Sequence, residues 1–497
     1  MFFSSITRRY ALYSILLLCL GGLGPVRPAG ATAEADRVAG RYATPATPGI
    51  PTVGGDTAAV LPTAQPAAGQ SYSLAQSVAR ALAANPQMQS IRAAYAAIED
   101  TRRQALANFG PVGTVSYSFQ RTDSRVNANK SVTLPSGSVT YHALTGRWQN
   151  TYTLQLAATQ PLFTGFNLLS SYQKAALNKD YAAANIQHTE LTLIQAVQEA
   201  FLSLLQARAN AQTEKDSVIR LSEQYKVAQA YYDEGIKAHL DMLQAEVDLA
   251  TAEQSLLAAE NTVRVQTAQL NTLLNLPLDQ QTDYVGQLDY IPLSLSLDAC
   301  LEQAYAKRPD LLMGVKTVAM AESSVRIAAS TLYPQVQADA TETWKGNQPD
   351  LRVKDLSGRT VPEEHTASVT ASLQAWDSGA TIFATRAARE NVKKVQADLA
   401  TLRLDAGTEV KTAYLNIVDA AKRIAVARVA LETSREAYRS AVALYKDQVG
   451  TNADVLTAQY NLSAAETSLT QALTDYQTAL STLYVAIGTK NPSLAPQ

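Results

Sequence analysis

The chain has 497 residues, a formal charge of -2 and only 17% charged residues. So even a balance excludes nucleic acid as a partner, which needs a strong basic patch. Hydrophobic residues make up 46%, yet beyond the N-terminus no run reaches the roughly 18 apolar residues of a membrane-spanning helix.

The N-terminus reads as an export signal. Arg8 and Arg9 precede the apolar run 10–23 and then the small residues Ala29, Gly30 and Ala31. Positive, apolar, then small-x-small is the order of a secretory signal peptide, assigned to 1–33. An uncleaved anchor or a twin-arginine signal fits this order less well. Cys19 follows Leu16, Leu17 and Leu18, without the small residues that a lipid-anchor signal places before its cysteine. Cys300 is then alone in the mature chain; its apolar helical setting predicts a buried, inert thiol and no disulfide. Residues 34–72, rich in Ala, Pro, Thr and Gly, are expected to be a disordered linker.

From Ser73 the chain is written twice. SLAQSVARALAANPQ matches SLDACLEQAYAKRPD from Ser296; Pro86 pairs with Pro309 and Pro111 with Pro334, each 223 residues apart. The first repeat is assigned to 73–290, the second to 291–488, with a C-terminal tail at 489–497. Each repeat reads as short helix, two strands, long helix, turn, short helix. The first long helix fills 165–235 without proline, and its apolar residues recur three and four apart: Leu177, Tyr181, Ala184, then Leu191, Ile194, Val197, Phe201, Leu204. That is the period of one helix face packed on other helices. About 65 residues at 1.5 Å each give a rod of roughly 100 Å. The second rod runs from about Gly379 to Lys446. Helices near 74–105 and 241–274 are each about half as long, so two of them end to end flank one rod.

Between short and long helices lie four period-2 segments. In 112–120, Val115, Tyr117 and Phe119 alternate with Ser116, Ser118 and Gln120; 152–160 alternates Tyr152, Leu154 and Leu156 with Thr153, Gln155 and Ala157. Val336, Ala338 and Ala340 oppose Gln335, Gln337 and Asp339, and Ala367, Val369, Ala371 and Leu373 oppose Ser368, Thr370, Ser372 and Gln374. Apolar-out, polar-in strands of about ten residues suit a lipid-facing barrel, although a small soluble sandwich carries the same alternation. Trp148, Trp344, Trp376, Tyr141 and Phe163 fall near the strand ends, where aromatic girdles sit. The polar connections 121–150 and 345–365 are expected to be outward loops. Four strands do not close a barrel, so several copies must pool theirs.

This order of elements, with export signal, duplicated halves and paired G…D-(V/M)-L-x-A turns, resembles the TolC-type outer-membrane efflux protein family across 73–488. The resemblance implies a fold that is mainly α with a β-barrel: antiparallel coiled-coil helices forming an α-barrel, and four transmembrane strands per chain in a twelve-stranded trimeric barrel. It implies a homotrimer in the outer membrane of a Gram-negative cell, extending into the periplasm and contacting outer-membrane lipid. It further implies a passive exit duct for small molecules, metal ions or polypeptides in a tripartite efflux or type I secretion system. The partners would be a periplasmic adaptor (membrane fusion) protein and an inner-membrane pump or ABC exporter.

In the family the two helix turns carry adaptor recognition and pore closure. Here the first holds Gly235, Ile236, Asp241, Leu243 and Ala245; the second holds Val449, Gly450, Thr451, Asp454 and Leu456. Gly450 stands two residues nearer its Asp than Gly235 does, so the second tip reads as shortened. The family's closing positions fall on Asp447 and Asn452. Asp241, Asp454, Asp447 and Asn452 are thus the expected periplasmic constriction, and Gly235, Ile236, Val449, Gly450 and Thr451 the adaptor-docking tips. A carboxylate ring there would favour cations; equally, both Asp residues would serve as helix caps.

Enzyme chemistry finds no support. His142, His188, His239 and His365 are scattered without metal spacing, and His188 falls in the helix stripe. There is no phosphate loop, no G-x-S-x-G and no Cys placed with a His. No cofactor or metal is expected. Rival readings are a soluble periplasmic coiled-coil scaffold without a pore and an envelope hydrolase using Asp241 or Asp454.

Overall fold

The computed structural model describes residues 71–351 and 363–491. The expected signal peptide, nearly all of the linker, residues 352–362 of the second connection and the tail past 491 lie outside the described residues, as does the side chain of Tyr141.

The first half runs β1 (Ser71–Ser73), α1 (Leu74–Ala84), α2 (Pro86–Ala107), β2 (Val112–Leu134), β3 (Gly137–Thr164), α3 (Asn167–Asp233), α4 (His239–Leu273) and β4 (Asp283–Val285). The second runs α5 (Leu297–Lys307), α6 (Pro309–Ala328), β5 (Gln335–Gly346), β6 (Glu363–Ser372), α7 (Ala380–Lys446) and α8 (Asn452–Ala486). The duplication is sharper than the sequence match: α3 and α7 both have 67 residues, and α4 and α8 both have 35. Ser71 and Tyr72, expected in the linker, instead pair in parallel with Asp283 and Tyr284.

Each expected short helix of the 74–105 kind is in fact two. Asn85 is extended (φ -64, ψ 129); it is the C-cap of α1 and, accepting from the Gln87 amide, the N-cap of α2. Proline at the next position removes a helical donor and favours a helix start, so the chain bends there. Asn85 Nδ2 also donates to the Leu273 carbonyl at 2.9 Å, and Asn275 Nδ2 donates to the Ala84 carbonyl at 3.2 Å, fastening this joint to the end of α4. In the second half Arg308 takes that place, donating to the Ala486 carbonyl at 2.9 Å and pairing with Asp310 and Glu409.

The helices form a wall one layer thick. Near the sheet the order is α2, α3, α6, α7; away from it, α4, α3, α8, α7. Each rod is about 100 Å long, with short helices stacked beside it, as the lengths require. The core lies where α1 and α5 wrap the rods. Val197, Leu204 and Leu270 are buried in one cluster; Val410, Ile417 and Leu483, each 213 residues on, are buried in the other. Cys300 is fully buried in that second cluster, and burial pushes its thiol up, as an inert core cysteine requires.

The four long strands make one antiparallel sheet in the order β2-β3-β5-β6. Its register puts Val115 opposite Leu156, Tyr117 opposite Leu154 and Phe119 opposite Tyr152, so the apolar row is continuous. Val115 is 73% exposed and Val369 68%. The connection 121–150 is not a loop: β2 and β3 pair from Val112–Thr159 to Leu134–Gly137. Backbone pairing carries the ribbon past the point where alternation fades, because ladder hydrogen bonds need no side-chain period. Tyr141 and Trp148 therefore lie inside β3, whereas Phe163 and Trp344 do sit near strand ends. Among the described residues no helix is long and apolar enough to cross a membrane.

Candidate functional site at the helical tips

Far from the sheet, each rod turns back on itself within five residues, 234–238 and 447–451. After α3, the Ile236 amide reaches the Tyr231 carbonyl at 2.8 Å and the Gly235 amide the Tyr232 carbonyl at 2.9 Å, with Gly235 at φ +66. This is a Schellman C-cap, which needs a left-handed residue. After α7 the same bonds run from Val449 to Leu444 (3.0 Å) and from Gln448 to Tyr445 (3.1 Å), and the left-handed residue is Gln448 at φ +63. Gly450 is therefore not the partner of Gly235. The turns have equal length, and Asp241 and Asp454 are 213 residues apart like the rest of the hairpins. The shortened second tip expected from the glycines does not exist.

The two Asp residues differ. Asp454 belongs to a capping box: its Oδ2 accepts from the Thr451 amide (3.0 Å) and hydroxyl (2.6 Å), while the Asp454 amide donates to Thr451 Oγ1 (3.2 Å). The Thr451 hydroxyl, then its amide, hold the carboxyl below its ordinary range, against the opposing effect of burial. Asp241 caps nothing in this way: Ala238 is the N-cap of α4 and has no capping side chain. Asp241 is half-buried, and Asp447, the C-cap of α7, is exposed.

Asn452, expected at the constriction, is 1% exposed and so lies inside the tip. Its Nδ2 donates to the main-chain oxygen of Asp241 at 2.9 Å, and its Oδ1 accepts from Gln224 Nε2 at 2.7 Å. One amide thereby ties α8 to both helices of the other hairpin. Beside it Tyr445 is buried and its hydroxyl has no hydrogen-bond partner; burial first, then Asp241 and Tyr231, push this phenol up to about 12. Lys237 Nζ lies 5.7 Å from the Tyr445 ring centre.

The seam between hairpins is polar along its length. Ser217 meets Gln459 (3.1 Å), Arg220 meets Glu466 (3.2 Å), and Gln206 and Gln198 bond to Gln471 and Ser481. Within hairpins the buried positions are mainly Ala, Leu, Ile and Val, such as Ala245 and Ala252 on α4. Of the expected docking residues, Ile236 and Val449 are exposed, Val449 by 77%. Sequence reading missed the apolar groove beside them, about 470 Å³, lined by Leu240, Leu243, Val247, Ala453 and Leu456. The exposed i, i+3, i+7 spacing of Leu240, Leu243 and Val247 was its signal.

Residues 78–276 and 300–489 match the sequence profile of the Outer membrane efflux protein family. The chain belongs to that family. Its members are channels of the outer membrane and not enzymes, so the scaffold and hydrolase readings have no support. The fold is similar to the outer-membrane channel OprN (TM-score 0.72, 19% identity, 84% of this chain and 90% of that one). It is also similar to VceC from Vibrio cholerae (0.69, 18%, 84% and 96%) and to the CmeC outer membrane channel of Campylobacter jejuni (0.70, 14%, 89% and 94%). No curated protein matches by sequence.

Proposed function

We propose that three copies of this chain form the passive exit duct of a tripartite efflux or type I secretion system. The observation that carries this reading is the sheet: its apolar row is exposed, its edge strands β2 and β6 each have one partner, and two 100 Å rods leave from the same end of it. An unpaired edge in lipid is untenable, and three such sheets joined edge to edge would close into twelve strands. The polar row, with Gln155, Thr159, Asp339 and Thr341, would line the bore.

The rods would then form a tunnel across the periplasm. At its tip the carboxylates of Asp447, Asp454 and Asp241, repeated three times, would make a cation-favouring constriction. Asn452, being buried, is no part of that ring. A periplasmic adaptor would dock on the exposed tips 235–236 and 449–451, with Leu240, Leu243 and Leu456 beside them, and an inner-membrane pump or ABC exporter would supply the energy. Small molecules, metal ions and polypeptides all fit a polar lumen.

The test is the mass of the detergent-purified protein, combined with conductance in a planar bilayer. A trimer with stepwise, cation-selective conductance is the expected result. A monomer extracted without detergent, or a trimer that never conducts, would overturn the proposal.

A further inference from the structure

The strand register brings together three metal-binding side chains that are scattered in sequence. Glu342 on β5 lies directly opposite His365 on β6, and Trp344 directly opposite Glu363. Residues two apart on a strand share a face, so all four side chains share one face, at the end of the β5–β6 ladder farthest from the helices. Nδ1 of His365 is 3.5 Å from Glu342 Oε1, and its Nε2 is 3.8 Å from Glu363 Oε1. One ligand atom from each of Glu342, Glu363 and His365 can be chosen so that all lie within 4.8 Å of one another. The Trp344 indole N–H donates to Glu363 Oε1 at 3.2 Å, an outer contact of the kind that orients a ligating carboxylate.

Nearer the helices, the same face continues as Ala340 with Ala367, Ala338 with Val369 and Val336 with Ala371. Two carboxylates close this apolar row. Like charges placed this close across strands repel. Among the described residues their one basic neighbour within ion-pair reach is His365. An imidazole nitrogen with two carboxylate oxygens is the donor set of an open, three-ligand zinc-type site. Ligand bonds of about 2.0–2.1 Å need donors about 3.3 Å apart. With a single imidazole nitrogen chosen, the three donor atoms lie within 4.8 Å of one another, and rotation of the half-exposed glutamate side chains can close the rest.

We propose that Glu342, Glu363 and His365 bind one divalent transition cation of the zinc class per chain, pinning β6 to β5 at the base of the connection that follows Gly346. The inference stands on the β5–β6 register and does not depend on the channel reading. It was hidden in the sequence because Glu342 is remote from Glu363 and His365; the Glu-x-His spacing on a strand was the only local sign.

The experiment titrates the EDTA-treated, detergent-purified full chain with Co²⁺, followed by visible absorption, and then displaces it with Zn²⁺. One Co²⁺ per chain is expected, with the intense absorption of low-coordinate cobalt. His365→Ala and Glu363→Gln should each weaken binding about tenfold or more, and Zn²⁺ should raise the thermal midpoint of the native protein but of neither variant. Lys345→Ala, on the opposite face, should bind like the native chain. These side chains are exposed, and circular dichroism of each variant confirms folding. Absence of saturable binding, or binding that survives both His365→Ala and Glu363→Gln, would overturn the proposal.

Discussion

Asn452 sends its amide nitrogen to the main-chain oxygen of Asp241 and receives the Gln224 side chain on its amide oxygen. The three residues come from three helices, and no other buried side chain at the tip spans both hairpins in this way among the described residues. Asn452→Ala leaves a carbonyl and an amide without their partner, a cost of about 1–3 kcal/mol. The loss is local, because the cores around Val197 and Val410 lie far up the rods. Amide exchange in the first turns of α4 and α8 should quicken while exchange at those cores stays as it was. If the tip also gates the duct, single-channel records should show a larger open fraction. Identical exchange at the tip in variant and native protein would show that the bond holds nothing.

Acid should loosen the second tip before the first. Thr451 holds the Asp454 carboxyl below its ordinary range. The folded pKa is therefore depressed, and the ionised cap stabilises the folded end at pH above the unfolded value of about 3.9. That contribution is lost as the pH falls through the folded value. Exchange near 451–455 should accelerate below about pH 4, beyond the change at the tip carrying Asp241, where no capping box exists. In Asp454→Ala the extra acid sensitivity should vanish. Equal acid responses of the two native tips would rule out the cap as its source.

The turns show what was legible and what was not. The proline pairs Pro86 and Pro309 announced the duplication, and the apolar spacing around Leu191, Val197 and Leu204 announced the buried face of α3. The second turn misled because Gly450 looks like the counterpart of Gly235, when Gln448 holds the matching left-handed conformation. A side chain in this region costs about 1–2 kcal/mol relative to glycine, so glycine is the natural guess and the protein departs from it. Likewise 121–150 looked like a loop because side chains were read and ladder hydrogen bonds cannot be. Asn452 gave no sign at all, since its partners Gln224 and Asp241 are more than 200 positions away.

That departure is itself testable. Gln448→Gly should stabilise the second hairpin end by about 1 kcal/mol, because the strain relieved exceeds the entropy added to the unfolded chain. Gly235→Ala should cost the first a similar amount; a Cβ there meets no atom within 4 Å, so the cost is conformational alone. Local opening free energies from exchange at 231–236 and 444–449 should move in opposite directions. A loss of stability in Gln448→Gly would mean that the glutamine side chain holds the turn by a contact.

The strand-to-helix corners extend the same contrast to assembly. Gly165 (φ +58) and Phe166 (φ +68) turn β3 into α3; Ser378 (φ +57) and Gly379 (φ +85) turn the second half into α7. A Cβ on Gly165 would lie 2.2 Å from the Ser330 carbonyl oxygen and 3.0 Å from Tyr333 Cβ, where the chain enters β5. Backbone cannot yield there without moving β5 away from β3, so Gly165→Ala should separate sheet from rods. A Cβ on Gly379 would meet only the Phe383 ring, at 3.3 Å, and a ring can swing. Gly379→Ala should therefore add only the conformational cost of about 1–2 kcal/mol. Heat-modifiable migration and the yield in the outer-membrane fraction measure the difference. Gly165→Ala should give little assembled protein and Gly379→Ala nearly the native amount, and equal yields would show that the corner at Gly165 tolerates the overlap.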